Sequence, residues 1–146
     1  MTQALGSHPE RLVLRNEIAD LPQLSLWIET CTRQDVPADV AFAVALCLEE
    51  AVVNIITHNG KTDRIEIAVE LARERGTVTA SVEDNGRAFD PTQVAPPVPA
   101  TSLKEAKVGD LGVHLIRSFA SEMRYQRDGD RNRLMLRFVE PADVTG

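Results

Sequence analysis

Glu50, Asn54 and His58 recur every four residues within Ala38–His58, a stretch that is otherwise apolar nearly all round. On an α-helix this interval stacks the three side chains on one face, with roughly 6 Å per step along the axis. A helix with so little polar surface is expected to be the most buried helix of its fold. A carboxylate, an amide and an imidazole are costly there unless something satisfies them. One reading is a magnesium nucleotide site. The Asn54 carbonyl oxygen suits Mg²⁺, a hard ion that takes one or two protein oxygens beside waters and phosphates. Glu50, one turn back, is placed to polarise a hydroxyl near a γ-phosphate. The other reading is a solvated polar stripe, and the helix alone leaves both open.

Two glycine-containing stretches could complete such a site. In Ser81–Pro91, Asp84 falls at the end of an alternating run, two residues before Gly86. An aspartate there can accept a hydrogen bond from an exocyclic amine such as adenine N6, with Gly86 permitting a tight turn and Phe89 expected to anchor it in the core. An ordinary Asp-Asn-Gly turn fits the same residues. In Val108–His114, Gly109 and Gly112 flank Leu111 where a loop re-enters a helix. Glycines there allow close backbone approach, and free N–H groups with the helix dipole favour an anion. Lys104 and Lys107, just upstream, could reach a γ-phosphate when the loop closes, although a capped helix with solvated lysines is an equal reading.

Residues 11–18 alternate as a first strand, for which a sheet edge is one of the places open. Asp20 and Pro22 then open a helix with Leu24, Trp27, Ile28 and Cys31 at helical spacing. The Ala38–His58 helix stops at Asn59-Gly60. Residues 64–73 and 77–82 alternate again and predict a hairpin with one buried face. Periodicity disappears over residues 85–108, where Pro91, Pro96, Pro97 and Pro99 interrupt any ladder, so a lid loop is expected there. A helix over residues 110–122 should present Leu111, Leu115, Ile116 and Phe119 on one stripe. Strands at 123–126 and 133–139 follow, joined by Asp128-Gly129-Asp130, and the tail from Glu140 is expected to fray. The order β-α-α-β-β-(loop)-α-β-β predicts an α+β two-layer sandwich, a mostly antiparallel sheet covered on one face by three helices.

The 146 residues fit a single domain over residues 1–146, with a core at about 11–139. Apolar residues make up 43% and charged residues 26%, an ordinary globular balance. The net charge of −6 and the absence of a basic run make nucleic acid a poor partner. Cys31 and Cys47 lie in apolar stretches and are expected to be small buried hydrophobes in a reducing compartment. Met1–Glu10 lacks a signal pattern. The run Val40–Leu48, ended by Glu49, is far short of the roughly 20 residues of a membrane span. A cytoplasmic protein is expected.

Taken together, the motifs resemble one family. Glu50-xxx-Asn54-xxx-His58 resembles the N-box of GHKL ATP-binding domains. Asp84-Asn85-Gly86-xx-Phe89-Asp90-Pro91 resembles their first glycine box, and Gly109-Asp110-Leu111-Gly112-xx-Leu115-Ile116 their second. The set is similar, from about Leu12 to Phe138, to the small anti-sigma-factor serine kinases of bacterial partner-switching modules. That resemblance implies a Bergerat-type sandwich, ATP and Mg²⁺ as ligands, a STAS-domain anti-anti-sigma-like phosphoacceptor, a sigma factor as a further partner and a homodimer. It implies Glu50 as catalytic base, Asn54 as Mg²⁺ ligand, Asp84 as adenine reader with Gly86 beneath the base, His58 as support, and Lys104, Lys107, Gly109, Leu111 and Gly112 around the phosphates. The chain departs from the pattern at Ala88, where many relatives have Gly. It departs again at Asn132-Arg133-Leu134, which lacks a Thr that helps hold adenine elsewhere. A sensor histidine kinase would need a helical hairpin carrying its phosphoacceptor, and chaperone or topoisomerase ATPases a transducer domain. The remaining alternative is an ATP-binding regulator that sequesters a partner without phosphotransfer, against which the carboxylate of Glu50 argues.

Overall fold

The computed structural model describes residues 4–59, 64–93 and 110–141. The elements are β1 (Glu10–Arg15), a 3-10 turn (Ile18–Asp20), α1 (Leu21–Thr32), α2 (Ala38–Asn59), β2 (Glu66–Glu74), β3 (Thr77–Asp84), a second 3-10 turn (Pro91–Gln93), α3 (Asp110–Phe119), β4 (Glu122–Asp128) and β5 (Arg131–Val139). The five strands form one antiparallel sheet in the order β1-β2-β3-β5-β4. The expected α+β two-layer sandwich is therefore present, with three helices on one face of the sheet.

The alternation that marked each strand decides which side chains face those helices. Ile67, Val69 and Leu71 of β2, Val78, Ala80 and Val82 of β3, and Leu134, Leu136 and Phe138 of β5 all enter one core. Against them α2 lays Val44, Cys47, Leu48, Ala51 and Val52. An 18-residue stretch within Ala38–His58 has a mean hydropathy of 1.9, enough by length and composition to cross a membrane, but this helix buries Val44, Cys47 and Leu48 in the core. The unbroken apolar run ends at Glu49 as expected, and the helix continues past it. The core also extends beyond residue 11, since Leu5 is buried and Gly6 accepts a hydrogen bond from the Arg73 N–H at 2.8 Å. Cys47 is fully buried while Cys31 is only half-buried.

Several boundaries differ from the sequence reading, each for a local reason. β1 ends at Arg15 because Asp20 folds back to accept the Arg15 N–H (3.0 Å) and its guanidinium (2.9 Å). Those hydrogen bonds hold the Asp20 carboxyl below its usual range, and they take the side chain away from capping α1. α3 stops at Phe119 rather than 122, since Glu122 begins β4 and pairs with Arg137 across the ladder at 3.2 Å. Phe119 does not join the buried stripe. It is 43% exposed and meets the more exposed Phe42 edge-on at 6.2 Å. Glu140, expected to fray, bonds Arg73 at 2.8 Å and the Gly76 carbonyl at 2.8 Å. The expected lid is described only as far as Gln93, and residues 94–108 lie outside the described segments.

The hairpin turns fix strand register. Between β2 and β3 the loop is Arg75-Gly76, with φ of 52° and 74°. Positive φ at both central positions marks a type I′ turn, whose twist suits an antiparallel pair. Gly76 takes this conformation without strain, whereas Arg75 carries a Cβ into the left-handed region at a cost of roughly 1–2 kcal/mol. Asparagine tolerates that region better. Because Arg75 is exposed, Arg75→Asn is expected to stabilise the fold by about 0.5–1 kcal/mol, read as a raised urea midpoint. An unchanged or lower midpoint would show that the turn stores no such strain.

Candidate functional site

Asn54 and His58 project from α2 into a cleft between the helix layer and the ends of β3, β4 and β5, which Asp84, Tyr125 and Asn132 also line. The cleft holds about 460 Å³ of space with its open mouth included. Ala51, Ile55, Val82, Ile116 and Leu134 give it apolar walls, suited to a flat aromatic ligand with polar edges. Asn54 is 4% exposed, and among the described residues no donor reaches its Oδ1. A buried acceptor without a partner costs about 1–3 kcal/mol, and such an atom in a cleft calls for a ligand that completes it. Of the two readings of the polar row, the solvated stripe fails at Asn54.

Asp84 closes β3 and is 3% exposed. Its Oδ1 accepts the Gly86 N–H at 2.8 Å and the Asn132 side-chain amide at 3.1 Å. Asn132 is its direct cross-strand neighbour on β5. The remaining valences of Asn132 hold the turn beyond Asp84. Its Nδ2 also donates to the Arg87 carbonyl at 2.8 Å, and its Oδ1 accepts the Phe89 N–H at 3.3 Å and the Tyr125 hydroxyl. Arg127 donates to the Gly86 carbonyl at 2.8 Å, and Arg87 to the His58 carbonyl at 3.0 Å. The turn around Gly86 is thus tied to β4, β5 and α2 together. Phe89 does not enter the core as expected. It is half-buried and stacks on the His58 ring with centroids 4.3 Å apart. His58 is accordingly part of the cleft wall rather than a support behind it.

Glu50 is half-buried one turn before Asn54 and is not among the residues lining the cleft. It lies where α2 meets α3. A Cβ added at Gly112 would stand 2.6 Å from Glu50 Oε2, so a larger residue there would displace the carboxylate from this position. Burial, assisted by the Glu50 charge, pushes the Cys47 thiol up to about 12, which leaves it unreactive. Of the remaining expected site residues, Lys104, Lys107 and Gly109 lie outside the described residues. Leu111 is placed only as part of the first turn of α3. Arg117 of α3 donates to the Thr92 carbonyl at 2.7 Å and holds the chain after Pro91. Arg117, Asn132, Tyr125 and Arg87 were not foreseen from sequence. Their roles depend on which backbone atoms the fold brings within reach, and no spacing along the chain encodes that.

Comparison with known proteins agrees with this geometry. Over 112 residues the sequence is 36% identical to the serine/threonine-protein kinase BtrW of Bordetella bronchiseptica, covering 75% of this chain and 79% of that protein. The fold is similar to the crystal structure of the RsbU and RsbW domains of a Mycobacterium tuberculosis protein, with a TM-score of 0.63 and 19% identity over 95% of this chain. This chain spans 35% of that longer one. Residues 14–138 match the histidine kinase-like ATPase domain, and the chain belongs to that family.

Proposed function

We propose that the protein is an ATP-dependent serine/threonine protein kinase and anti-sigma-factor-like regulator whose phosphoacceptor is a STAS-domain antagonist. The observation that carries this reading is the orphaned Oδ1 of Asn54, buried in the same cleft as the fixed carboxylate of Asp84. The relative at 36% identity, named a serine/threonine-protein kinase, supports the reaction class. A homodimer in the cytoplasm, able to sequester a sigma factor, completes the proposal.

In this reading the adenine amine donates to Asp84, and the base lies between the apolar walls formed by Val82, Ile116 and Leu134. Gly86 lets the chain turn beneath the base. Lys104, Lys107, Gly109, Leu111 and Gly112 border the phosphates. Asn54 Oδ1 would hold Mg²⁺, and the fit rests on its being a neutral, hard oxygen with no donor among the described residues. When bound, that ion neutralises charge on the phosphates. Glu50 accepts the proton of the acceptor serine as its oxygen forms a bond to the γ-phosphorus and the bond to the β-phosphate oxygen breaks, leaving phosphoserine and ADP. Gly112, lacking a Cβ, leaves room for the Glu50 carboxylate beside α3.

The decisive assay is incubation with γ-labelled ATP, Mg²⁺ and the candidate STAS partner. Glu50→Gln should keep ATP affinity while transfer falls by about 10²–10⁴-fold, the usual contribution of a general base. Normal transfer by the variant would remove Glu50 from the chemistry. ATP binding without transfer by the parent protein, across STAS partners, would favour a regulator that only sequesters.

Asn54→Ala removes an acceptor that no described residue satisfies, so the nucleotide-free fold should stay within ~1 kcal/mol of the parent. The gain in ATP affinity on adding Mg²⁺ should vanish. A strongly destabilised variant with that gain intact would make Asn54 structural. Asp84→Asn should weaken ATP by roughly 1–3 kcal/mol in calorimetry, and GTP should bind poorly to the parent. Equal ATP and GTP affinities in the parent would overturn the assignment of Asp84.

A further inference from the structure

Asn132 is 6% exposed, and all four of its side-chain hydrogen-bonding valences are engaged. Nδ2 donates to Asp84 Oδ1 at 3.1 Å and to the Arg87 carbonyl at 2.8 Å, while Oδ1 accepts the Tyr125 hydroxyl and the Phe89 N–H. With the Gly86 carbonyl also at 3.5 Å, two donors and three acceptors around one amide leave it a single orientation, since a flip would set oxygen against oxygen at Asp84 and at Arg87. The orientation has a chemical consequence. With the N–H groups turned toward Asp84, that carboxylate is held as an acceptor, and both protein donors to it converge on Oδ1. In the ATP reading, the other oxygen is left to accept from the base.

We propose that Asn132, oriented by Tyr125, is a positioning residue that sets purine specificity by holding Asp84 as a pure acceptor. This rests on the reading of the cleft as an ATP site. Adenine presents an amine at the ring position where guanine and hypoxanthine present a carbonyl, so an acceptor selects adenine. The same amide also ties the backbone of Arg87 and Phe89 to β5. Base recognition and the turn after Asp84 are therefore held by one side chain.

The test compares ATP with inosine triphosphate, which shares the triphosphate and differs at the base amine. Calorimetric affinities in the presence of Mg²⁺ give a ratio that a general loosening of the fold would leave unchanged. Asn132→Asp keeps the shape but sets a second carboxylate against Asp84. The two carboxylates repel, which moves Asp84 from the position where it meets the base amine. The preference for ATP should fall about tenfold. Tyr125→Phe removes only the hydroxyl that fixes the amide, and the preference should fall about threefold. Should Asn132→Asp fail to fold, Tyr125→Phe decides. A parent that prefers ATP, with a Tyr125→Phe ratio equal to the parent's, would overturn the inference alone. The same holds if Asn132→Asp weakens both nucleotides alike. A parent that binds neither nucleotide would overturn the reading of the cleft, and this inference with it.

Discussion

Val44, Cys47, Leu48, Ala51 and Val52 seat α2 on the inner face of the sheet, each of them essentially without solvent contact. That contact fixes where every polar group of the helix can go. With one side of α2 committed to Val69, Ala80 and Leu136, the Glu50–Asn54–His58 row has to emerge along the margin of the core. There the ends of β3 and β5 and the start of α3 supply the opposing wall. A buried amide oxygen is tolerable in such a place only because the margin is also an opening.

The sheet makes the second half of the site through register. Asp84 and Asn132 meet through the long-range pairing of β3 with β5, which sets those positions opposite each other although α3 and β4 separate the two strands in the chain. A slip of one residue between β5 and β3 would turn Asn132 to the outer face, beside Arg133 and Arg137. The base end of the cleft is therefore specified by the register of two strands distant in sequence, and the helix end by burial. These are independent constraints, and the cleft exists where both are met.

This division explains what could be read from the sequence. The 3.6-residue period of α2 and the two-residue period of β2 and β3 are local, so the elements, the layer order and the row Glu50–Asn54–His58 were legible. Asp84 and Gly86 were legible because a carboxylate before a glycine at a strand end is itself a local pattern. Asn132 and Tyr125 were not, since each looks like an ordinary strand residue until pairing places it. Phe119 and Phe89 misled for a related reason. Hydrophobicity indicates that a ring seeks contact, but not whether it finds the core, an exposed Phe42 or the ring of His58. Helix ends were displaced wherever a side chain such as Glu122 had a better partner in the sheet than in the helix.

The approach of Gly112 to Glu50 carries a thermodynamic consequence for α3. Glycine in a helix costs about 1 kcal/mol relative to alanine, and α3 has only ten residues, fewer than an isolated helix needs to persist in water. The first turn of α3 therefore has little helix-forming tendency of its own and is held by its contact with α2. The glycine that makes room for the carboxylate thus lowers the intrinsic helical tendency of the same turn, so that close packing at one point comes with weaker local structure at the next.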